Sequence, residues 1–434
     1  MTSTAAEPVD RIRAWLEANW DPELTVAEWW ERLGLAGWAA PSLPTTAFGQ
    51  GLSRSDSVAV QREIGRFGAL GPPNGLGLML AAPTIAKHGT QDQIDTLLRD
   101  IVTGQQAWCQ LFSEPGAGSD LAGLTTKAVR DGDEWIVNGQ KVWTSLGQTA
   151  DMGMLIARTN PDAPKHSGIT WFAIDMHQPG VELRPLKEMT GHAMFNEVFL
   201  SDAVVRADAV VGGLHDGWGV TNTTLQAERS SLGAGGAGTA RGATPGTIAG
   251  QLNRRAGDLV DATPARQKSS EPKTKAKPAD SLLVQFARSF NKLDDPLIRQ
   301  ELMKLHTLNA VAGYNSQRVK ASRASGQDLP GMANIAKLQM SDVVRLTRDL
   351  GLRILGASGM LHAYTDEQRE ALTAATGNPF LGMVTSTALY AQAPPIYGGT
   401  DQIQRNIIGE RVLGLPKEPG DNKNVPFSEL PKNV

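Results

Sequence analysis

The sequence predicts an α+β multidomain protein: an N-terminal helical domain, a middle antiparallel β-barrel or sandwich, and a C-terminal four-helix-type bundle. Three observations predict this order. Apolar residues recur at helical spacing before Gly104, short β-prone runs separated by Pro, Gly and Asp follow it, and the helical spacing returns from Trp218. We therefore place the predicted domains at 1–105, 106–217 and 218–434.

The N-terminal domain is predicted from amphipathic runs. Ile12, Leu16 and Trp20 fall near the 3.6-residue helical period, and Gln93–Val102 has apolar residues spaced to share one face. We interpret the early tryptophans as packing residues rather than ligand-binding residues. This domain is therefore expected to be a scaffold.

The middle domain is predicted from strand signals. The dipeptide Asn138–Gly139 is typical of a tight hairpin and lies between two β-prone runs, Trp135–Val137 and Gln140–Trp143. Further strands are predicted at Met152–Arg158, Ile169–Asp175, Val181–Leu186 and Phe195–Leu200. Several short strands at this spacing favour a small barrel or sandwich.

The C-terminal region combines helices with one unusual insertion. Residues 239–280 contain no aromatic residue, four prolines, eight Arg or Lys and four Asp or Glu, which is typical of a mobile, solvated, basic loop. Such a loop is either a basic tether for a phosphate or partner or an expanded surface insertion, and we favour the insertion. Long helices are predicted at Leu282–Ser325 and Ile335–Leu355, and a last one from Asp401 to Leu413.

Composition excludes several classes of protein. The net charge of −3 gives no general attraction to nucleic acid or to an anionic membrane, and no apolar run is long enough to span a bilayer. A single cysteine, Cys109, allows no internal disulfide, so we expect a reducing, cytoplasmic setting. The seven histidines are scattered without ligand spacing, so no metal site is expected. A dinucleotide fingerprint beginning at Gly116 fails because position 121 is Leu.

Two glycine-rich segments carry the chemical signal. Trp108–Gly123 reads WCQLFSEPGAGSDLAG, and its glycines allow another group to approach the backbone closely. We interpret Glu114 and Asp120 in it as turn and loop residues. Ala393–Asn406 reads APPIYGGTDQIQRN, in which Thr400 or Asp401 can cap the helix that follows. Alone, this second segment is more typical of a structural turn and helix cap than of a binding site.

Together the two segments resemble the acyl-CoA dehydrogenase family. The resemblance is carried by FSEPGAGSD, DEWIVNGQKVWTS and IYGGTDQIQRNIIGERVLGLP, and it covers roughly Ala59 to Pro416 in the family's order of domains. It implies FAD, an acyl-CoA substrate and Cα–Cβ desaturation. It also implies a homo- or hetero-tetramer and electron transfer to an electron-transfer flavoprotein. From the charge and composition we expect no nucleic-acid partner and no membrane span.

The resemblance assigns the binding residues by their matching positions. It implies that Gln110, Phe112 and Ser113 line the isoalloxazine, with Trp143 against its aromatic face and Ser145 near its reactive edge. Flavin contacts are also implied for Thr400 and Gln402, and Ser119 matches a position that contacts CoA.

The catalytic base departs from the commonest family pattern. Many members carry a Glu directly after the Tyr of the last loop, where this chain has Gly398, which can donate only its backbone N–H to the thioester oxygen. A minority places the Glu before an Arg on the first bundle helix, and Glu228–Arg229 fits that arrangement. Glu228 is therefore the candidate base, and Arg229 a charge-balancing neighbour and candidate substrate contact. The alternative is an ordinary surface ion pair. A base facing an apolar acyl pocket should have a raised pKa.

A second departure concerns the flavin. The family's Arg-x-x-Phe-Gly signature is reduced here to Ala287–Asn291, and Arg353 stands where a Gln is usual, so Arg353 is the candidate contact of the pyrophosphate. This pattern resembles actinobacterial members of steroid and branched-acyl catabolism, some of which are α2β2 heteromers. The alternatives to an active dehydrogenase are a non-catalytic or half-site subunit and a purely structural scaffold.

Overall fold

The computed structural model describes residues 7–232, 243–261, 282–327, 329–417 and 424–431. The chain divides into two compact units. The first takes its described residues from 1–186, 193–268 and 420–434, and the second from 187–192 and 269–419.

Helices make up the N-terminal part of the first unit. They are α1 (Pro8–Asn19), α2 (Val26–Leu35), α3 (Arg54–Phe67), α4 (Ala82–His88), α5 (Gln91–Gln93) and α6 (Arg99–Val102), with π-helical turns at Gly77–Ala81 and Ile94–Leu98. Trp29 and Trp30 are fully buried, and their indole N–H groups donate to the carbonyls of Leu70 and Gly71 at 2.8 Å. The interpretation of these tryptophans as packing residues is confirmed.

A seven-stranded sheet forms the middle of the first unit. Its strands are β1 (Trp108–Leu111), β2 (Lys127–Asp131), β3 (Glu134–Ser145), β4 (Met152–Arg158), β5 (Ile169–Asp175), β6 (Val181–Leu186) and β7 (Phe195–Arg206). The order is β1-β4-β2-β3-β7-β6, and β5 pairs with β4. Most pairs are antiparallel as predicted, but β4 runs parallel to β1 and, through one residue pair, to β2. A parallel pair needs a long connection, which the residues between β1 and β4 supply.

The predicted hairpin at Asn138–Gly139 is wrong. Both residues lie inside the continuous strand β3, where the pairing with β7 shifts register between Val137 and Gly139. A Cβ at position 139 would lie 2.7 Å from the Cα of Thr126, so glycine serves close backbone approach here rather than a turn. The actual hairpin joins β2 to β3 through Gly132, whose φ is 57°.

The helix that carries Glu228, α7 (Gly217–Leu232), belongs to the first unit. It packs on β5, on α4 and on the π-helical turn Gly77–Ala81. The predicted boundary at 217/218 instead grouped this helix with the C-terminal bundle. The Gly233–Gly238 cluster that follows lies outside the described residues.

The stretch 243–261 differs from the mobile loop predicted for 239–280. Its backbone forms a bridge between Arg255 and Thr25, and it ends in α8 (Ala256–Asp261). Ala256 is fully buried, because this part of the insertion carries enough apolar residues to pack on the N-terminal helices. The prediction failed here because it rested on the composition of the whole insertion, in which the apolar residues of this part are outnumbered by polar residues on either side. Residues 239–242 and 262–280 lie outside the described part of the chain.

Helices make up the second unit. They are α9 (Leu282–Ser289), α10 (Pro296–Ala324), α11 (Met332–Leu355), α12 (Asp366–Thr376), α13 (Leu381–Tyr390) and α14 (Asp401–Ile407), the last continued by a π-helical turn, Ile408–Val412. The predicted single helix Leu282–Ser325 is wrong, because the chain turns between α9 and α10. Asn291 there has a φ of 54°, and Pro296 begins the next helix. On α10, Leu302 and Leu305 are buried, whereas Leu297 is exposed.

No helix among the described residues is long and apolar enough to cross a membrane. Cys109 is fully buried on β1, and burial raises the pKa of its thiol to about 12. The predicted cytoplasmic setting stays a prediction.

Candidate active site

The loop after β1 is anchored by a buried ion pair. Lys141 on β3 is fully buried, and its Nζ donates to Glu114 Oε1 at 2.9 Å and to the Phe112 carbonyl at 3.0 Å. The Glu114 carboxylate also accepts the backbone N–H groups of Thr125 and Thr126, at 2.7 and 2.9 Å. Burial opposes the charge of Glu114, but Lys141 and these hydrogen bonds outweigh it and lower its pKa to about 2. Glu114 is therefore more than the turn residue predicted from the sequence.

The far end of this loop is held by Arg158 on β4. Its guanidinium donates to the carbonyls of Ala122 and Lys165, both at 2.6 Å, and lies 3.8 Å from the centre of the Phe427 ring. Phe427 belongs to the described C-terminal stretch 424–431. The loop that contains Ser119 is thus fixed at both ends, while Ser119 itself is exposed.

The predicted flavin face is an exposed aromatic surface at the end of β3. Trp143 is 60% exposed and has a φ of 62°, an uncommon backbone conformation for a bulky residue. Its ring packs edge-on against Phe195 at 5.8 Å, and Leu146 and Met194 add exposed apolar surface, joined by the Leu146 N–H to Met194 carbonyl bond of 3.0 Å. Ser145 pairs with Phe195 in the sheet. A large apolar side chain held outward in a strained conformation fits a planar aromatic cofactor.

The other predicted flavin contacts lie on β1 and just after it. Phe112 is buried, whereas Gln110 and Ser113 are partly exposed. The Ser113 carbonyl accepts the Val142 N–H at 2.9 Å, which ties this segment to β3 next to Trp143. These residues therefore share one region of the sheet with Trp143 and Ser145.

Glu228 lies on the packed side of α7. Thr221 and Thr224, seven and four residues before it, are fully buried, and the Thr224 hydroxyl is 2.9 Å from that of Thr84. Burial raises the pKa of Glu228, while a hydrogen bond with the Gln110 side chain and the charge of Arg229 oppose the rise. The structure thus brings the candidate base together with one predicted flavin residue, Gln110. Arg229 is exposed.

In the second unit, the last glycine-rich loop is held by hydrogen bonds from the side chain of Gln404. Gly398 and Gly399 have φ values of 63° and 86°, which suit glycine. The buried Gln404 donates its amide N–H to the carbonyls of both, at 2.9 and 3.2 Å. The Thr400 hydroxyl accepts the Ile403 N–H at 3.2 Å, which confirms the predicted helix cap.

The residue after this cap is a buried acid. Asp401 is 2% exposed and binds Lys337 at 3.0 Å, the Ser341 hydroxyl at 2.8 Å, and Arg345, all on α11. Burial opposes its charge, but these partners lower its pKa. Gln402, by contrast, is exposed.

Arg353, the residue predicted to hold the pyrophosphate, has a protein partner in the structure. Arg353 forms an ion pair with Glu301, and Ala287 is fully buried where the family signature has Arg. Asn291, in place of the signature's Gly, keeps a left-handed backbone, which Asn tolerates better than most residues. Asn291 in place of the signature's Gly therefore changes the backbone little, whereas Ala287 in place of the signature's Arg removes a positive charge.

The anchoring residues Lys141 and Gln404 were missed in the sequence. Lys141 lies four residues after Val137 and six after Trp135, both of which are buried. Because side chains alternate between the two faces of a strand, these even spacings place Lys141 on the same inward face. A lysine on an inward face indicates a buried partner, and this signal could have identified the pair with Glu114. For Gln404, no comparable pattern exists.

The order of a helical domain, a middle sheet and a helical C-terminal domain, with an exposed aromatic surface on the sheet, is typical of a class of flavin-dependent oxidoreductases. Family models for the N-terminal, middle and C-terminal domains of acyl-CoA dehydrogenase match residues 2–105, 109–203 and 282–413. The chain belongs to the acyl-CoA dehydrogenase family, FAD-dependent flavoproteins that oxidise CH–CH bonds. Glu228 lies between the matched segments.

Individual relatives agree with this membership. The chain is similar to acyl-CoA dehydrogenase IpdE1 of Mycobacterium tuberculosis, with 35% identity over 90% of this chain and 88% of that protein. Among solved structures it is similar to the Tcur3481-Tcur3483 steroid ACAD, with 25% identity, a TM-score of 0.65, and coverage of 95% and 98% of the two chains. It is also similar to the ChsE4-ChsE5 complex from Mycobacterium tuberculosis, with 25% identity, a TM-score of 0.62, and coverage of 96% and 100%.

Proposed function

We infer that this acyl-CoA dehydrogenase desaturates its substrate with Glu228 as the base, and that the acyl group is bulky, an acyl chain attached to a ring system as on a steroid. The observation that carries the base assignment is the placement of Glu228 on the packed side of α7, hydrogen-bonded to Gln110. The solved structure of a steroid ACAD with similar architecture supports the substrate class.

The residues divide the work of the reaction. Glu228 takes the proton from Cα, and its raised pKa makes it a stronger base than an ordinary carboxylate. The Gly398 backbone N–H donates to the thioester oxygen, which gains negative charge as the proton leaves. Trp143, Ser145, Gln110, Phe112 and Ser113 hold the flavin, which when bound accepts the hydride from Cβ. Ser119 contacts the CoA moiety, Arg229 balances the charge of Glu228 and contacts the substrate, and Thr400 and Gln402 complete the flavin contacts.

Anaerobic titration with a panel of acyl-CoAs tests this function. The purified protein should be yellow, and its flavin absorption should bleach with a polycyclic acyl-CoA at lower concentration than with straight-chain acyl-CoAs. Bleaching by straight chains alone would contradict the substrate class, and bleaching by none would contradict the activity. Reoxidation by an electron-transfer flavoprotein, the proposed physiological acceptor, is measured in the same cuvette.

A half-site subunit is the second candidate function. It is favoured by Ala287, which is buried and uncharged where the family signature has Arg, and by the solved complex of two differently named chains. In this case the chain assembles with an unlike subunit into a heterotetramer rather than with itself. Sedimentation of the protein alone and with a candidate partner, together with the FAD content per chain, separates the two assemblies.

A further inference from the structure

The Gly398–Thr400 loop can turn its peptide groups in more than one direction unless something holds them. Glycine is the residue with the greatest backbone freedom, and Gly398 and Gly399 are adjacent, both at positive φ. An N–H donor on such a loop is useful in catalysis only if its direction is fixed before the substrate binds.

Gln404 supplies the restraint. Its amide nitrogen donates to the carbonyls of Gly398 and Gly399 at 2.9 and 3.2 Å, and its amide oxygen accepts the Asn334 side-chain N–H at 2.6 Å. Asn334 lies on α11, so the amide of Gln404 is itself oriented by a long helix. At 2% exposure the Gln404 side chain has little room to turn away.

The glycine at 399 and the glutamine at 404 depend on each other. A Cβ placed on Gly399 would lie 2.6 Å from Gln404 Nε2, so the glutamine occupies the space that a larger residue would need. Removing the glutamine would therefore leave a gap beside the most flexible part of the loop.

Fixing the two carbonyls fixes the N–H groups on the other edge of the same peptides. In a trans peptide the C=O and the following N–H point in opposite directions. With the carbonyls of Gly398 and Gly399 turned to Gln404, the N–H groups of Gly399 and Thr400 face away from it. Among the described residues, no backbone hydrogen bond is donated by Gly398, Gly399 or Thr400.

We propose that Gln404 is a positioning residue: by holding the carbonyls of Gly398 and Gly399 it fixes the backbone at Gly398, so that the Gly398 N–H keeps its direction toward the thioester oxygen. This inference rests on the proposed function, since it deepens the role of that loop in desaturation. This donor acts most strongly when Cα loses its proton and charge develops on the oxygen. Loss of Gln404 should therefore affect kcat more than KM.

The test compares Gln404→Met with the matched control Gln392→Met, at an exposed glutamine two residues after the end of α13. It uses the FAD-loaded enzyme and the acyl-CoA that bleaches the native flavin fastest. Gln404→Met should lower kcat by about 10- to 100-fold with KM changed less than about 3-fold, somewhat below the typical loss of a whole oxyanion donor. Gln392→Met should match the native enzyme.

A second measurement does not depend on turnover. Infrared difference spectra of bound acyl-CoA labelled with ¹³C at the thioester carbonyl report how strongly that bond is polarised. The stretching frequency should fall on binding to the native enzyme and to Gln392→Met, and should fall less with Gln404→Met. A merely structural glutamine would change the melting temperature but not this frequency.

The outcomes separate the two claims. A native enzyme that bleaches with no acyl-CoA contradicts the proposed function and this inference with it. A native enzyme that bleaches, beside a Gln404→Met variant with native kcat and carbonyl frequency, overturns only the positioning role. If Gln404→Met does not retain FAD, Asn334→Leu is measured instead, because it removes the group that orients the Gln404 amide. A lowered kcat with a smaller carbonyl shift then supports the role, and native values overturn it.

Discussion

Two glycine-rich loops, one in each compact unit, present backbone groups, but they are held in different ways. In the Glu114–Gly123 loop an acid of the loop pairs with Lys141, which is entirely removed from water. In the Gly398–Thr400 loop the centre is held by the neutral Gln404, and the acid at its end, Asp401, pairs with Lys337 and with Arg345, whose side chain is 33% exposed. When a buried ion pair loses one partner, the other is left as a buried charge without compensation. When a partly exposed ion pair loses one partner, water can solvate the charge that remains. The first loop should therefore be the less tolerant of change.

The largest effect on stability is expected from Lys141→Met. The change leaves the Glu114 carboxylate buried without its cation, so the free energy of unfolding should fall by about 3–5 kcal/mol. Chemical denaturation followed by tryptophan fluorescence measures this fall. The double variant Glu114→Gln with Lys141→Met should recover part of the loss, and no recovery would show that the pair is not the cause.

Asp401→Asn should have a smaller effect. The amide keeps one acceptor for Ser341 but no charge for Lys337 and Arg345, and Arg345 can turn to water. We expect a loss of about 1–3 kcal/mol, seen in the same denaturation experiment. A loss that equals or exceeds that of Lys141→Met would break the comparison between the two loops.

The Glu228–Gln110 contact should appear in the pH dependence of flavin bleaching. The base must be ionised to act, so the rate should rise with pH through an apparent pKa above the ordinary value for Glu, which is about 4.3. Gln110→Leu removes a hydrogen bond that favours the ionised form, so the midpoint should move to higher pH. A midpoint that moves down, or does not move, contradicts this contact.

The smallest effect is expected at the turn between α9 and α10. Asn291→Ala must hold a left-handed backbone at a cost of about 1 kcal/mol, while Asn291→Gly should be neutral or nearly so. Thermal melting of the two variants side by side measures the difference. Equal melting temperatures would show that the turn is not constrained at this residue.

The sequence was most informative where a signal is local. The order of the three regions, the bounds of β4, β5 and β6, and the Thr400 cap were predicted, because periodicity and capping depend on near neighbours. The hairpin at Asn138–Gly139 failed because the same dipeptide can serve a long-range contact, here with Thr126. Gln404 was missed because its partners are defined by the folded loop alone.

The roles of the individual site residues stay predictions, and the base is the central one. The most direct test is anaerobic mixing of the FAD-loaded Glu228→Gln variant with the acyl-CoA that bleaches the native flavin, with Glu370→Gln, on the exposed surface of α12, as the control. Glu228→Gln should keep its FAD and its melting temperature but bleach at least about 100-fold more slowly, a typical loss for a general base. A variant that bleaches at the native rate would contradict the assignment of Glu228 as the base.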